Sequence, residues 1–236
     1  MNAVAHAAIK LPGARLRSIY RILQRAYGPQ HWWPGDTPFE VMVGAVLTQN
    51  TAWRNVERAI AALKAHNALD PRVITTVPST QLADWIRPSG YFNVKARRLR
   101  SFCAWYRDAG GLRRLSRWST GRLRLALLAI HGIGPETADD ILLYAFDRPV
   151  FVIDAYTRRI FGRLGVVQGA EPYEVLRGGM ERVLGPETGL FNEYHALLVR
   201  HGKDVCRPRP RCGECVLARH CAAAETVARG IAARRG

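Results

Sequence analysis

The sequence predicts an all-α fold, with about ten or more helices joined by short loops. Three observations predict it. Apolar residues recur at three- and four-residue spacing, as in Leu16, Ile19, Tyr20, Leu23 and Tyr27. Proline and glycine punctuate these stretches at helix-like intervals. No stretch sustains period-two alternation between hairpin turns, and residues 150–153 are too few to change the class.

The elements follow in order. Residues 14–27 form the first expected helix, stopped by Gly28 and Pro29. A turn with two adjacent tryptophans, Trp32 and Trp33, comes next. Pro38 starts a helix that runs to Leu47 and breaks at Thr48-Gln49-Asn50-Thr51. Another spans about 52–66. Pro71 opens a short helix, and Ser79 is the expected cap of one that ends before Pro88. Ser89-Gly90-Tyr91-Phe92-Asn93 reads as a turn, and residues 95–108 as a long basic helix. Short helices are expected at 112–117 and 119–130, the second leading into Gly132-Ile133-Gly134. Helices at 135–146, 155–164, 172–184 and 190–201 complete the set, and an Ala/Arg-rich tail follows Cys221.

Composition bounds the function. At 236 residues and 48% hydrophobic content, the chain suits one large domain or two small ones with a real core. The formal charge of +16 points to a polyanion, most simply nucleic acid. Lysine occurs only at Lys10, Lys64, Lys95 and Lys203. A GC-rich coding bias accounts for arginine over lysine, but not for so few acids. No apolar run approaches the roughly 20 residues of a membrane span, and no signal-peptide pattern opens the chain. Four of the five cysteines crowd the C-terminal region, which suggests a metal site in a reducing compartment.

Their spacing is Cys206-x5-Cys212-x2-Cys215-x5-Cys221. Four thiolates so close in sequence can enclose an iron–sulfur cluster. Zinc and free thiols remain alternatives, although zinc ribbons use two C-x2-C knuckles and this chain has one. Between the first two cysteines, Arg207, Arg209 and Arg211 alternate with Pro208 and Pro210. The prolines are expected to hold the loop extended and the guanidinium groups to meet phosphates.

Gly132-Ile133-Gly134 joins two expected helices. Glycine there lets a phosphate approach backbone N–H groups at a helix start, and Pro135 suits the first helical position. Asp154 lies eighteen residues beyond Glu136, after Phe151-Val152-Ile153 and before a helix. An aspartate there is a helix N-cap, a catalytic carboxylate, or both.

In combination these features resemble the helix-hairpin-helix DNA glycosylases of the endonuclease III superfamily. The resemblance runs from about Leu16 to Cys221. It rests on the Gln49 segment, SGYFNVKA at 89–96, HGIG at 131–134, Asp154, and LLVRHGKDVC leading into the cysteines. One departure is the first cysteine spacing, five residues where the family pattern has six. The resemblance implies two helical domains with double-stranded DNA in the cleft: a six-helix barrel at 38–148, and a cluster domain formed by 1–37 and 149–236. It implies a 4Fe–4S cluster on Cys206, Cys212, Cys215 and Cys221, a monomer, and a cytoplasmic, nucleoid-associated place of work.

The resemblance also assigns roles. The damaged nucleotide is flipped out of the duplex. Gln49 matches the residue that fills the vacated space, and Tyr91 the residue that wedges into the opposite strand. Asp154 matches the carboxylate that stabilises positive charge on the sugar and positions water. Members that also cut the strand carry a lysine just after the Gly-x-Gly turn, and here that position is Glu136. The implied activity is therefore a monofunctional N-glycosylase, with Glu136 a candidate for a direct role in the pocket. Trp33, Pro34 and Trp53 match pocket residues of the 3-methyladenine branch, some members of which lack the four cysteines. A mismatch glycosylase acting on adenine, or on uracil or thymine opposite guanine, and a non-catalytic DNA-structure-binding protein are the alternatives.

Overall fold

The computed structural model describes residues 9–224. Among them it contains α-helices and short 3-10 and π turns, and no strand. The tail from residue 225 on lies outside the described residues. The chain forms two compact units, Trp33–Arg148 and the residues up to Trp32 together with those from Pro149 on.

The Trp33–Arg148 unit is continuous in sequence. It holds α2 (Pro38–Leu47), α3 (Trp53–Ala65), α4 (Pro71–Thr76), α5 (Ser79–Trp85), α6 (Phe92–Asp108), α7 (Gly111–Leu115), α8 (Thr120–Leu128) and α9 (Pro135–Asp140). The helix α1 (Gly13–Tyr27) precedes it and belongs to the other unit. Every residue of α2 from Glu40 to Leu47 is buried, and the helix packs against α3, α6 and α9. Its start is set by Thr37, whose side chain accepts from the Glu40 N–H at 3.1 Å, and by Pro38 behind it.

Local starts differ from expectation for physical reasons. Ser79 lies inside α5 rather than capping it, because Pro78 takes the cap position and its carbonyl accepts from Leu82 at 3.1 Å. The helix expected from Lys95 begins at Phe92. Tyr91 adopts a left-handed conformation, φ 45° and ψ 33°, which completes the turn earlier. The helix expected over 135–146 loses α geometry at Asp140 and continues as a π turn, Ile141–Ala145. Such turns displace side chains from regular helical positions.

The second unit holds α1, α10 (Ala155–Arg163), α11 (Tyr173–Leu184) and α12 (Thr188–Asp204), followed by 3-10 turns at Cys212–Glu214 and Ala218–His220. α12 packs against α1 and α10. It extends three residues past His201, because Gly202 stays helical instead of stopping the helix. A Cβ there would meet the Tyr156 ring at 2.5 Å, so glycine serves close packing of α12 on α10. Phe151, Phe191 and Tyr194 are fully buried and meet edge to face in the middle of this unit.

Candidate active site and nucleic-acid interface

In the Trp33–Arg148 unit, the hairpin turn joins α8 to α9. Gly132 takes φ +86°, and Ile133 is buried and anchors the turn. Gly134 caps α9, and its carbonyl accepts from Ala138 at 2.9 Å. A Cβ on Gly132 would strike the Arg98 side chain, so this position combines a glycine conformation with a close approach. Gly134, Pro135 and Glu136 are exposed. The turn thus presents backbone to solvent on a buried anchor.

Gln49, in the loop after α2, reaches the same turn. Its Nε2 donates to the Gly132 carbonyl at 3.1 Å and to Thr137 Oγ1 at 3.0 Å. Arg98 donates to its Oε1. Tyr91 is 74% exposed, an unusual position for a large ring. The structure therefore brings Gln49 to the hairpin and leaves Tyr91 projecting into solvent.

Trp33 and Trp53 come together, with ring centres 5.1 Å apart and planes at 87°. Tyr144, on the π turn, lies 5.2 Å from Trp33. Sequence reasoning missed Tyr144, which was hidden as one aromatic in an apolar helix. Both tryptophans are only half-buried, unlike core aromatics. Trp53 Nε1 donates to Glu57 at 2.8 Å, and Pro34 is exposed.

In the other unit, Asp154 caps α10. Its Oδ1 accepts from the Thr157 N–H at 2.6 Å. The approach segment is pinned: Phe151 N–H donates to Glu181 at 3.0 Å, and Ile153 N–H reaches the Tyr173 hydroxyl at 3.4 Å. On α12, His195 places Nε2 3.5 Å from Asp154 Oδ2, a long contact between two buried groups. Burial alone pushes the Asp154 carboxyl up. The His195 hydrogen bond and charge, with the Thr157 backbone and side chain, more than reverse this and hold it below the usual carboxylate value. The N-cap reading of Asp154 holds, and the cap geometry fixes the direction of the carboxylate. His195 was missed, although a histidine between Phe191 and Leu198 on an apolar face was a signal.

The four C-terminal cysteines line one cavity of about 160 Å³ together with Arg163. Arg163 Nη1 is 3.4 Å from Cys206 Sγ, and Cys215 Sγ is 3.6 Å from His201 Nε2. Burial pushes the Cys215 and Cys212 thiols up. Among the described residues, no three of His, Cys, Asp and Glu are grouped to hold a single metal ion. In the loop between Cys206 and Cys212, Arg207, Arg209 and Arg211 are all exposed. Arg207 Nε folds back to the Lys203 carbonyl at 2.9 Å, and Arg211 lies 3.8 Å from Glu214.

Residues 43–186 match the family described as HhH-GPD superfamily base excision DNA repair protein. The chain belongs to this superfamily. It is 44% identical over 206 residues to the putative DNA repair glycosylase MJ1434 of Methanocaldococcus jannaschii, covering 86% of this chain and 94% of that one. Its fold matches a non-covalent endonuclease III–DNA complex, with TM-score 0.81 and 21% identity over 93% of this chain and 99% of the other. It also matches the H. pylori 3-methyladenine DNA glycosylase MagIII bound to 1,N6-ethenoadenine, with TM-score 0.68 and 29% identity, covering 81% and 95%. The chain is thus a DNA glycosylase of base excision repair and binds DNA. No helix among its described residues is long and apolar enough to cross a membrane.

Proposed function

We propose that this glycosylase is monofunctional and removes an alkylated purine, such as 3-methyladenine, from double-stranded DNA. The observation that carries the proposal is the state of the amines around the hairpin. Glu136 stands where strand-cutting members have lysine. Of the lysines in the Trp33–Arg148 unit, Lys64 is paired with Asp36 at 2.7 Å and Glu40 at 2.8 Å. Lys95 is buried and bonded to two backbone carbonyls. Neither stands in for the lysine that position 136 lacks, which favours water as the nucleophile.

Gly132 and Gly134 offer backbone N–H groups to a phosphate, Ile133 anchors the turn with its own N–H bonded to the Ile130 carbonyl at 3.1 Å, and Arg207, Arg209 and Arg211 add guanidinium contacts. Gln49 fills the space left by the flipped nucleotide, and Tyr91 enters the opposite strand. Trp33, Trp53 and Tyr144 present aromatic edges and faces to the base, which favours an electron-poor, cationic ring. The N-glycosidic bond breaks and its electron pair leaves with the base, which departs neutral if it was cationic. Positive charge grows on the sugar, opposite the fixed Asp154 carboxylate. Water adds at C1′ and gives its proton to Asp154, leaving an abasic site. Lying next to this carboxylate, His195 keeps it ionised.

The cysteine site supports a 4Fe–4S cluster. Cys206, Cys212, Cys215 and Cys221 line one cavity of about 160 Å³, and their spacing has one C-x2-C pair instead of the two knuckles of a zinc ribbon. Cys206, Cys212, Cys215 and Cys221 would hold the cluster, which would tie down the loop that carries Arg207, Arg209 and Arg211. A purified protein with broad visible absorption and bound iron supports this, and a colourless zinc protein contradicts it.

The substrate is tested by base release from duplexes carrying 3-methyladenine, 7-methylguanine, hypoxanthine, uracil opposite guanine, and adenine opposite oxoguanine. Release of the methylated purines is expected to be fastest. Exclusive release of uracil or adenine would replace this reading with a mismatch glycosylase, and no release at all with a DNA-structure-binding protein.

A further inference from the structure

Two cations on the first two turns of α6, Lys95 and Arg98, stand behind the segments that carry Gln49 and Tyr91. Lys95 is 1% exposed. Its ammonium donates to the Leu47 carbonyl at 2.8 Å and the Ser89 carbonyl at 2.6 Å. Leu47 ends α2, two residues before Gln49. Ser89 closes a 3-10 turn, two residues before Tyr91. Three residues along α6 from Lys95, Arg98 donates to Gln49 Oε1 and packs against Gly132. Gln49 completes the network with its bonds to Gly132 and Thr137.

A buried ammonium is expensive to desolvate, and an apolar chain of similar length would fill the space without that cost. What the charge adds is a fixed distance between two backbone points. Carbonyls at helix ends lack intrahelical partners, so a single ammonium can join two of them. Arg98 then sets the direction of the Gln49 amide, which a flexible glutamine side chain does not hold alone.

We propose that Lys95 and Arg98 are positioning residues for base flipping: together they hold Gln49 and Tyr91 in register, so that filling the gap and wedging the opposite strand occur as one event. This rests on the reading of Gln49 as plug and Tyr91 as wedge. Neither cation touches the reacting atoms. Their loss should leave the grip on undamaged DNA and remove the response to a gap in the stack.

The probe is a duplex with a tetrahydrofuran abasic site opposite 2-aminopurine, beside an undamaged duplex of the same sequence. It reports insertion into the stack whichever base the enzyme excises. The full-length protein and the variants Lys95→Met, Arg98→Met, Arg98→Lys, Gln49→Ala and Tyr91→Ala are compared by 2-aminopurine fluorescence, by affinity for both duplexes, and by thermal unfolding. Wild type should change the fluorescence on binding. Lys95→Met and Arg98→Met should lose that change and about 10-fold of the preference for the abasic duplex, while affinity for undamaged DNA stays within about 2-fold. Arg98→Lys should restore part of the signal. If Lys95→Met does not fold, the two Arg98 variants carry the test. If Gln49→Ala and Tyr91→Ala lose the signal but folded Lys95→Met and Arg98→Met keep it, the proposal is overturned and the plug-and-wedge reading stands. If wild type gives no signal, or Gln49→Ala and Tyr91→Ala both keep it, that reading fails and the proposal with it.

Discussion

The hairpin turn and the Asp154 site are built on opposite plans. The turn exposes its backbone at Gly134 and Pro135 and hides only Ile133. The Asp154 site hides its carboxylate: the residue is 8% exposed, its side chain accepts from the Thr157 N–H, and His195 faces it. Gripping a phosphate needs donors that any sequence of DNA can reach. Stabilising a cationic sugar needs a charge fixed in place before the reaction. The contrast implies that binding and chemistry are separable, and substitutions in each region should divide them.

The largest effect is expected from Asp154→Asn. Single-turnover base release should fall about 10²- to 10³-fold or more, while affinity for duplex DNA stays within about 2-fold. Equal losses in both would erase the contrast. Gly132→Ala should give the reverse pattern. A side chain at φ +86° and against Arg98 is strained, so duplex affinity should fall about 10-fold. At saturating enzyme, base release should stay near wild type.

His195→Ala sharpens the chemical side. In the proposed mechanism Asp154 works as a carboxylate, so activity should be present above its pKa and lost below it. With His195 gone, burial is opposed only by Thr157, and the carboxyl rises. The acid limb of the single-turnover pH profile should therefore move to higher pH, with a rate loss of about 10-fold at neutral pH. An unmoved limb would remove His195 from the site. In wild type the lowered Asp154 pKa contributes stability above the unfolded value of about 3.9, lost as pH falls through the folded pKa; thermal melts of wild type and Asp154→Asn across this range check the sign. The smallest effect is expected from Trp33→Ala, which should cost about 10-fold in preference for 7-methylguanine over hypoxanthine and little in duplex affinity. An unchanged preference would return Trp33 to ordinary packing.

The same contrast explains what the sequence made legible. Helix starts at Pro38, Pro71 and Pro135 follow from local chemistry, as does the break at Gly28. The hairpin is a contiguous motif, and so are the cysteines. Asp154 stood out by its place after an apolar run. What stayed hidden are partners distant in sequence. His195 comes 41 residues after Asp154, and Lys95 meets Leu47 across 48. Lys95 reads as one more surface cation in a basic helix until its burial is known. Tyr144 depends on a π turn that no local rule places. Local signals mark where elements begin, whereas the groups that tune a site are set by packing.

Which atom attacks the sugar decides between hydrolysis and strand cleavage. The direct measurement is borohydride trapping of wild-type enzyme with a duplex bearing the base it releases, with strand breakage scored before and after alkali. Attack by water predicts no covalent protein–DNA adduct and an intact strand that breaks only with alkali. A trapped adduct with breakage before alkali would show an amine at work, and would contradict the assignment built on Glu136 and Asp154.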